Sequence, residues 1–201
     1  MVVLAGRGRH FCTGFDLSDA DAVPDGELLL RFVRIEQLLA RLWSAPYATV
    51  AIGQGRVFGA GADLFAACGQ RLAVEGASFC FPGAGFGLIL GTRRLHVRVG
   101  ADAAHRLVAG GEVVSAVGAL RLGLASACLA ELDLPAALDA AEAFATRLDR
   151  ATYAGLREIA AGDAQGLDSD LAALVRSAAR PGLGQRIAAY RATLARPRAP
   201  A

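Results

Sequence analysis

Two short apolar runs, "MVVLAG" (1–6) and "ATVAIG" (48–53), flank an amphipathic stretch, "GELLLRFVRIEQLLARLW" (26–43), and each run closes on glycine. No other feature of the chain constrains its fold as much. The runs read as buried strands. The stretch between them has apolar residues at 28, 29, 32, 35, 38, 39 and 42, one face of a helix that Pro46 stops. Strand, helix and strand at this spacing give parallel strands joined by a right-handed crossover.

The pattern turns helical again from Gly59 to about residue 72, followed by strand-like pieces at 71–74 and 78–81. Beyond "GADAAHRLVAGG" (100–111) it is helical except for one more strand within 125–132. From Pro135 the periodicity predicts helices over 135–161, 163–179 and 183–196, with an Arg/Pro/Ala tail at 196–201 that is expected to fray. The expected organisation is an α/β core over 1–134 and a helical C-terminal region over 135–201. A chain of 201 residues that is 54% hydrophobic can bury a core without disulfide staples. Its four cysteines show no CxxC pair and no metal-ligand spacing with the three histidines, so no metal is expected and a reducing, cytoplasmic setting is. A formal net charge of +2 makes no case for nucleic acid, and no apolar run approaches membrane-spanning length.

Two loops hold the candidate chemistry. "GRGRHFCTGFDL" (6–17) follows the first strand, and "GQGRVFGAGADL" (53–64) follows the second and opens a helix. Both fall at the carboxyl ends of neighbouring parallel strands, where open α/β sheets bind ligands. Glycines there expose backbone N–H groups, and two N–H groups aimed at one spot form an oxyanion hole. Either loop alone fits equally well as a tight turn that lets helix and sheet pack closely. "GQGRVFG" (53–59) also approximates a dinucleotide fingerprint, but its third glycine comes one residue late and no acid ends a following strand. The histidines at 10, 96 and 105 have no triad or metal pattern, and Asp16 reads as a loop-bracing acid.

Taken together, "HFCTGFDL" (10–17), "GRVFGAGADL" (55–64) and the stretch "SFCFPGAGFGLILGTRRL" (78–95) with its continuation to about 131 resemble the crotonase family, also called enoyl-CoA hydratase/isomerase. The tail at 171–198 is similar to that family's trimerising C-terminal helices. The resemblance implies a spiral of ββα units with a helical C-terminal region, and assembly as a homotrimer or a dimer of trimers. It implies an acyl-CoA thioester as substrate, with coenzyme A entering as part of it and no separate cofactor. By position, Phe15 and Ala60 match the two N–H donors and Asp63 the first catalytic acid. Gly59 and Gly61, with Gly55, match the backbone against which the thioester lies. Cys12, Thr13 and Gly14 match the stretch that receives the adenine and pantetheine ends, and Arg9 a basic contact to CoA phosphate, though a surface arginine reads equally well.

The departures are as informative. Hydratases and isomerases of the family carry a second glutamate after a proline; "FCFPGAGFG" (79–87) places Gly83 there, which transfers no proton. The chain also starts on a strand that is internal in the family, so a late or truncated start is expected. A hydratase or isomerase acting through a thioester enolate is the leading expectation. A decarboxylase or thioester hydrolase on the same scaffold, or an inactive CoA-binding partner, remains open beside it.

Overall fold

The computed structural model describes residues 1–161 and 164–195; the tail at 196–201 lies outside them. At its centre is β2 (Thr49–Gly53), buried at all five positions. β1 (Val2–Ala5) and β4 (Gln70–Val74) pair with it in parallel on either side, with Val3 opposite Val50 and Ile52 opposite Leu72. β7 (Ala127–Leu129) adds to β4 and completes a four-stranded parallel sheet in the order β1-β2-β4-β7. A second sheet holds β3 (Arg56–Phe58), β5 (Ser78–Cys80) and the two-residue β6 (Val114–Ser115). The chain alternates between the two: β2 then β3 then helix α2 (Ala60–Ala67), β4 then β5 then helix α3 (Thr92–Val99). This is the predicted spiral of ββα units, since β2 and β4 are neighbours in one sheet and β3 and β5 in the other.

α1 (Asp25–Trp43) connects β1 to β2 and buries Leu28, Phe32, Leu39, Leu42 and Trp43, much of the face that the periodicity predicts. Glu36 is buried on that same face. α4 (Ala101–Ala109) and α5 (Ala116–Arg121) pack Leu107 and Ala119 into the core with Phe65 and Phe79. α6 (Leu134–Thr146) buries Ala141 against Val50 and Leu72 of the sheet, and α7 (Arg150–Ala161) follows it. Finally α8 (Ala164–Ala178) and α9 (Leu183–Ala195) return to α1: Leu174, Leu183 and Ile187 share one cluster with Leu28, Phe32, Phe86 and Leu88. The change at 134/135 is therefore one of element type, and the C-terminal helices build part of the core.

Several expectations are corrected. β1 is an edge strand, with Val2 and Val3 each 40% exposed, because among the described residues it pairs only with β2. α2 stops at Ala67, well short of residue 72. Cys68 is extended (φ −71, ψ 152) and Gly69 N–H donates to Thr49 Oγ1 at 2.8 Å, which delivers the chain into β4. The helix expected over 135–161 is two helices. The Asp149 carboxylate accepts from Ala151 N–H and Thr152 N–H at 2.9 and 3.0 Å and starts α7 afresh as an N-cap. β3 and β6 were not expected; each is too short to show a periodicity.

Candidate active site

A cleft opens where β3 ends and α2 begins. Phe58 N–H donates to Cys12 O and Gly59 N–H to Cys80 O, both at 2.9 Å, so the loop after β1 is tied to β3, and β3 to β5, at this corner. Gly59 precedes α2 with φ +55 and ψ −130, a backbone state that favours glycine. The first N–H groups of a helix have no intrahelical acceptor. Ala60 N–H, the first of α2, finds no other acceptor among the described residues, and neither does Phe15 N–H. Gly14, at φ +105, lies against the same corner: a Cβ there would sit 3.1 Å from Phe58 O and 3.6 Å from Ala60 N. The two loops that the sequence singles out therefore meet, and Phe15 and Ala60 both line the cleft.

The cleft encloses about 310 Å³, and Thr13, Gly14, Phe15, Gly59, Ala60, Asp63 and Gly83 all line it. Its far wall is aromatic. Phe15 packs on Phe32 at 4.7 Å between ring centroids, and Phe86 packs on Tyr190 at 5.3 Å. Tyr190 and Leu194 come from α9, so the C-terminal region supplies part of the lining. α9 is held there by Asp25, whose carboxylate accepts from Gly182, Leu183 and Gly184 N–H at 2.9, 3.0 and 2.9 Å. Those hydrogen bonds hold the Asp25 carboxyl below its ordinary range.

Asp63, one turn along α2 from Ala60, is 6% exposed. Burial pushes its carboxyl well above the usual carboxylate range; Arg94 opposes the shift and Glu36 adds to it. Asp63 Oδ1 packs against Gly91, at φ +65, where a Cβ would collide with it. Behind Gly91 lies a buried ion-pair chain. Arg94 Nη2 donates to both Glu36 oxygens at 2.6 Å, Arg94 Nη1 donates to Asp170 Oδ2 at 2.9 Å, and Arg93 forks onto Asp170 at 2.9 and 2.8 Å. Of the residues lining the cleft, Asp63 alone is a carboxylic acid. Gly83 sits in the 3-10 turn Pro82–Phe86, and its carbonyl accepts from Leu88 N–H at 3.0 Å.

Four expected residues fall outside the cleft lining. Arg9 is exposed and does not line the cleft. Cys12 is half-buried beside it, its backbone committed to β3. Gly61 faces Cys12, where a Cβ would strike the Cys12 carbonyl oxygen, and Gly55 faces Arg9 in the same way. These two glycines bring loop against loop, and of the three in the second motif only Gly59 lines the cleft. The cation at the cleft is Arg56 of β3, which sequence reasoning missed; its alternation with buried Val57 was the available signal. Tyr190, Phe32 and Phe86 carried no signal beyond being apolar. His10 accepts Arg56 N–H on Nδ1 at 3.1 Å and so braces the loop, while Asp16 accepts Ser18 N–H at 2.9 Å as expected. Among the described residues no group of three His, Cys, Asp or Glu side chains could hold a metal, and no helix is long and apolar enough to cross a membrane.

A family model described as enoyl-CoA hydratase/isomerase matches residues 1–168. The chain is similar to ethylmalonyl-CoA decarboxylase of Gallus gallus, 32% identical over 149 residues, which is 71% of this chain and 49% of that one. It is also similar to a Bacillus subtilis (strain 168) protein named "Probable enoyl-CoA hydratase", 35% identical over 62% of this chain and 50% of that one. It thus spans about half the length of these two relatives. A crystal structure of an enoyl-CoA hydratase/isomerase-type protein from Bordetella parapertussis superimposes with a TM-score of 0.91 at 47% identity, covering 98% of this chain and 80% of that one.

Proposed function

The chain belongs to the enoyl-CoA hydratase/isomerase family, and on that premise we propose that it binds an acyl-CoA thioester in the Phe15–Ala60–Asp63 cleft and stabilises its enolate. One observation supports this reading: Phe15 and Ala60, whose backbone N–H groups have no acceptor among the described residues, line one cleft with a single buried acid, Asp63. Negative charge gathers on the thioester oxygen as the enolate forms, and each donor aimed at it is worth about 3–4 kcal/mol of transition-state stabilisation. The aromatic wall from Phe15 to Tyr190 takes the acyl group, and Arg56 at the cleft offers a cation to a phosphate or carboxylate of the substrate. Assembly as a homotrimer or a dimer of trimers, and a cytoplasmic location, belong to the same proposal.

A single acid limits the reaction. Concerted hydration needs one group to activate water and another to protonate the α carbon, and Gly83 provides neither. An isomerisation needs only one: Asp63 as carboxylate takes a proton from one carbon of the enolate system and returns it to another. A second reading draws on the raised proton affinity of Asp63 and on the decarboxylase relative. In a malonyl-type thioester the carboxylate leaves as carbon dioxide, the electrons of that bond pass into the enolate, and protonated Asp63 delivers its proton to the α carbon.

The test is to assay 3-enoyl-CoA isomerisation, crotonyl-CoA hydration and decarboxylation of a malonyl-type CoA on the wild type, Asp63→Asn and Gly83→Glu. The active reaction should fall about 100-fold or more in Asp63→Asn. Unchanged turnover in that variant overturns the role given to Asp63. CoA binding without turnover of any substrate would instead mark an inactive binding partner. A Cβ at position 83 meets nothing closer than Leu88 O at 3.5 Å, so Gly83→Glu fits and should raise crotonyl-CoA hydration.

A further inference from the structure

The chain Glu36–Arg94–Asp170–Arg93 links three helices behind the cleft, and Asp63 meets it across Gly91. We propose that Glu36 is a positioning residue for the site: by holding the Arg94 guanidinium it denies Asp63 a counter-ion, so that Asp63 rests as a neutral, proton-bearing acid. This deepens the second reading above, in which protonated Asp63 delivers its proton to the α carbon, and rests on it; an isomerisation would first require Asp63 to ionise.

The charges argue for it. Glu36, Asp170, Arg93 and Arg94 are two acids and two bases, joined by contacts of 2.6–2.9 Å, and they cancel among themselves. Arg94 is 1% exposed and Glu36 likewise 1% exposed, so water screens neither. Both Glu36 oxygens sit on Arg94 Nη2, and Gly91 N–H also donates to Glu36. Gly91 is in turn the surface on which Asp63 Oδ1 rests. An ionised Asp63 would be a third acid on a neutral cluster, facing Glu36 across one glycine. A buried acid with no cation of its own holds its proton, in line with the upward shift that burial and Glu36 impose on Asp63. The charged and titratable groups around Asp63 come from five elements. α1 contributes Glu36, α3 Arg94 with Arg93 beyond it, α8 Asp170, β3 Arg56 and α9 Tyr190 across the cleft. Arg94 is the cation that opposes the upward shift of Asp63, and Glu36 and Asp170 already occupy it.

Glu36→Gln tests this. The amide keeps the shape of the side chain and removes its charge, which leaves Arg94 in excess and available to Asp63. Protein labelled with ¹³C at the aspartate carboxyl is titrated by NMR, and the Asp63 resonance is assigned by its loss in Asp63→Asn. The Asp63 midpoint should fall by about one pH unit or more in Glu36→Gln, as expected for an acid that gains a close cation. The pH dependence of kcat should move by the same amount. Asp170→Asn frees the same guanidinium from its other side and should move the midpoint in the same direction, which covers the case in which Glu36→Gln fails to fold. A folded variant with an unmoved midpoint overturns the proposal, and so does a loss of thermal stability with no change in either titration. Because the midpoint is read without substrate, full activity in Asp63→Asn would refute the catalytic role and leave the Glu36 test intact.

Discussion

Gly61→Ala is expected to injure both stability and catalysis, although alanine is the better helix former. Gly61 lies in the first turn of α2, and a Cβ built there strikes the Cys12 carbonyl oxygen and comes within 2.7 Å of Cys12 Cβ and 2.8 Å of Cys12 C. Two of the three obstacles are backbone, and that backbone is pinned: Cys12 O accepts Phe58 N–H, and Phe11 N–H donates to Gln54 O, each at 2.9 Å. Overpacking at such a site costs about 1–3 kcal/mol. Breaking the Phe58–Cys12 hydrogen bond costs about 1 kcal/mol, and alanine returns about 1 kcal/mol in helix propensity. A net loss of about 1–3 kcal/mol remains. The displaced segment leads directly to Gly14 and Phe15, and a shift of about 1 Å in a positioned group can cost about 100-fold in rate. Gly155→Ala is the control: Gly155 is also helical, in α7, with open space around its Cβ, and the substitution should stabilise by about 0.5–1 kcal/mol. Urea unfolding gives both stabilities, and kcat on the best acyl-CoA substrate gives the rate. If Gly61→Ala matches Gly155→Ala in stability and the wild type in kcat, the contact between the two loops does not exist as described.

Two further predictions concern charge. The folded-state pKa of Asp63 is raised above its ordinary value of 3.8, so its contribution to stability is complete below that value and lost as pH rises through the folded one. Asp63→Asn should therefore gain stability relative to wild type as pH rises above about 4 toward the raised folded-state value, and parallel urea curves at every pH would refute the shift. Asp25 is shifted the other way by the three N–H groups at the start of α9, so its contribution is present above 3.8 and lost as pH falls through the folded value. Asp25→Ala should speed amide hydrogen exchange in α9 and raise KM, because Tyr190 and Leu194 line the cleft; unchanged exchange would mean that Asp25 does not anchor the helix.

The crossover from β1 through α1 to β2, the paired glycine loops and the lone acid of the second loop were all legible in the sequence. They depend on patterns within about twenty residues: apolar periodicity, glycine placement and the residue that follows a turn. Even the missing second acid was legible, as Gly83 after Pro82. The folded chain decided the rest, because each remaining fact joins positions far apart along it. Gly55 and Gly61 face the Arg9–Cys12 segment instead of the cleft because their partners lie about fifty residues upstream. Arg56 lines the cleft because a three-residue strand, too short to show in the sequence, turns it there. Glu36 can be buried on the apolar face of α1 only because Arg94, 58 residues on, occupies it. Short-range pattern determined which elements form and which loops carry glycine; burial and the pairing of distant charges, which no local window contains, decided what Asp63 feels.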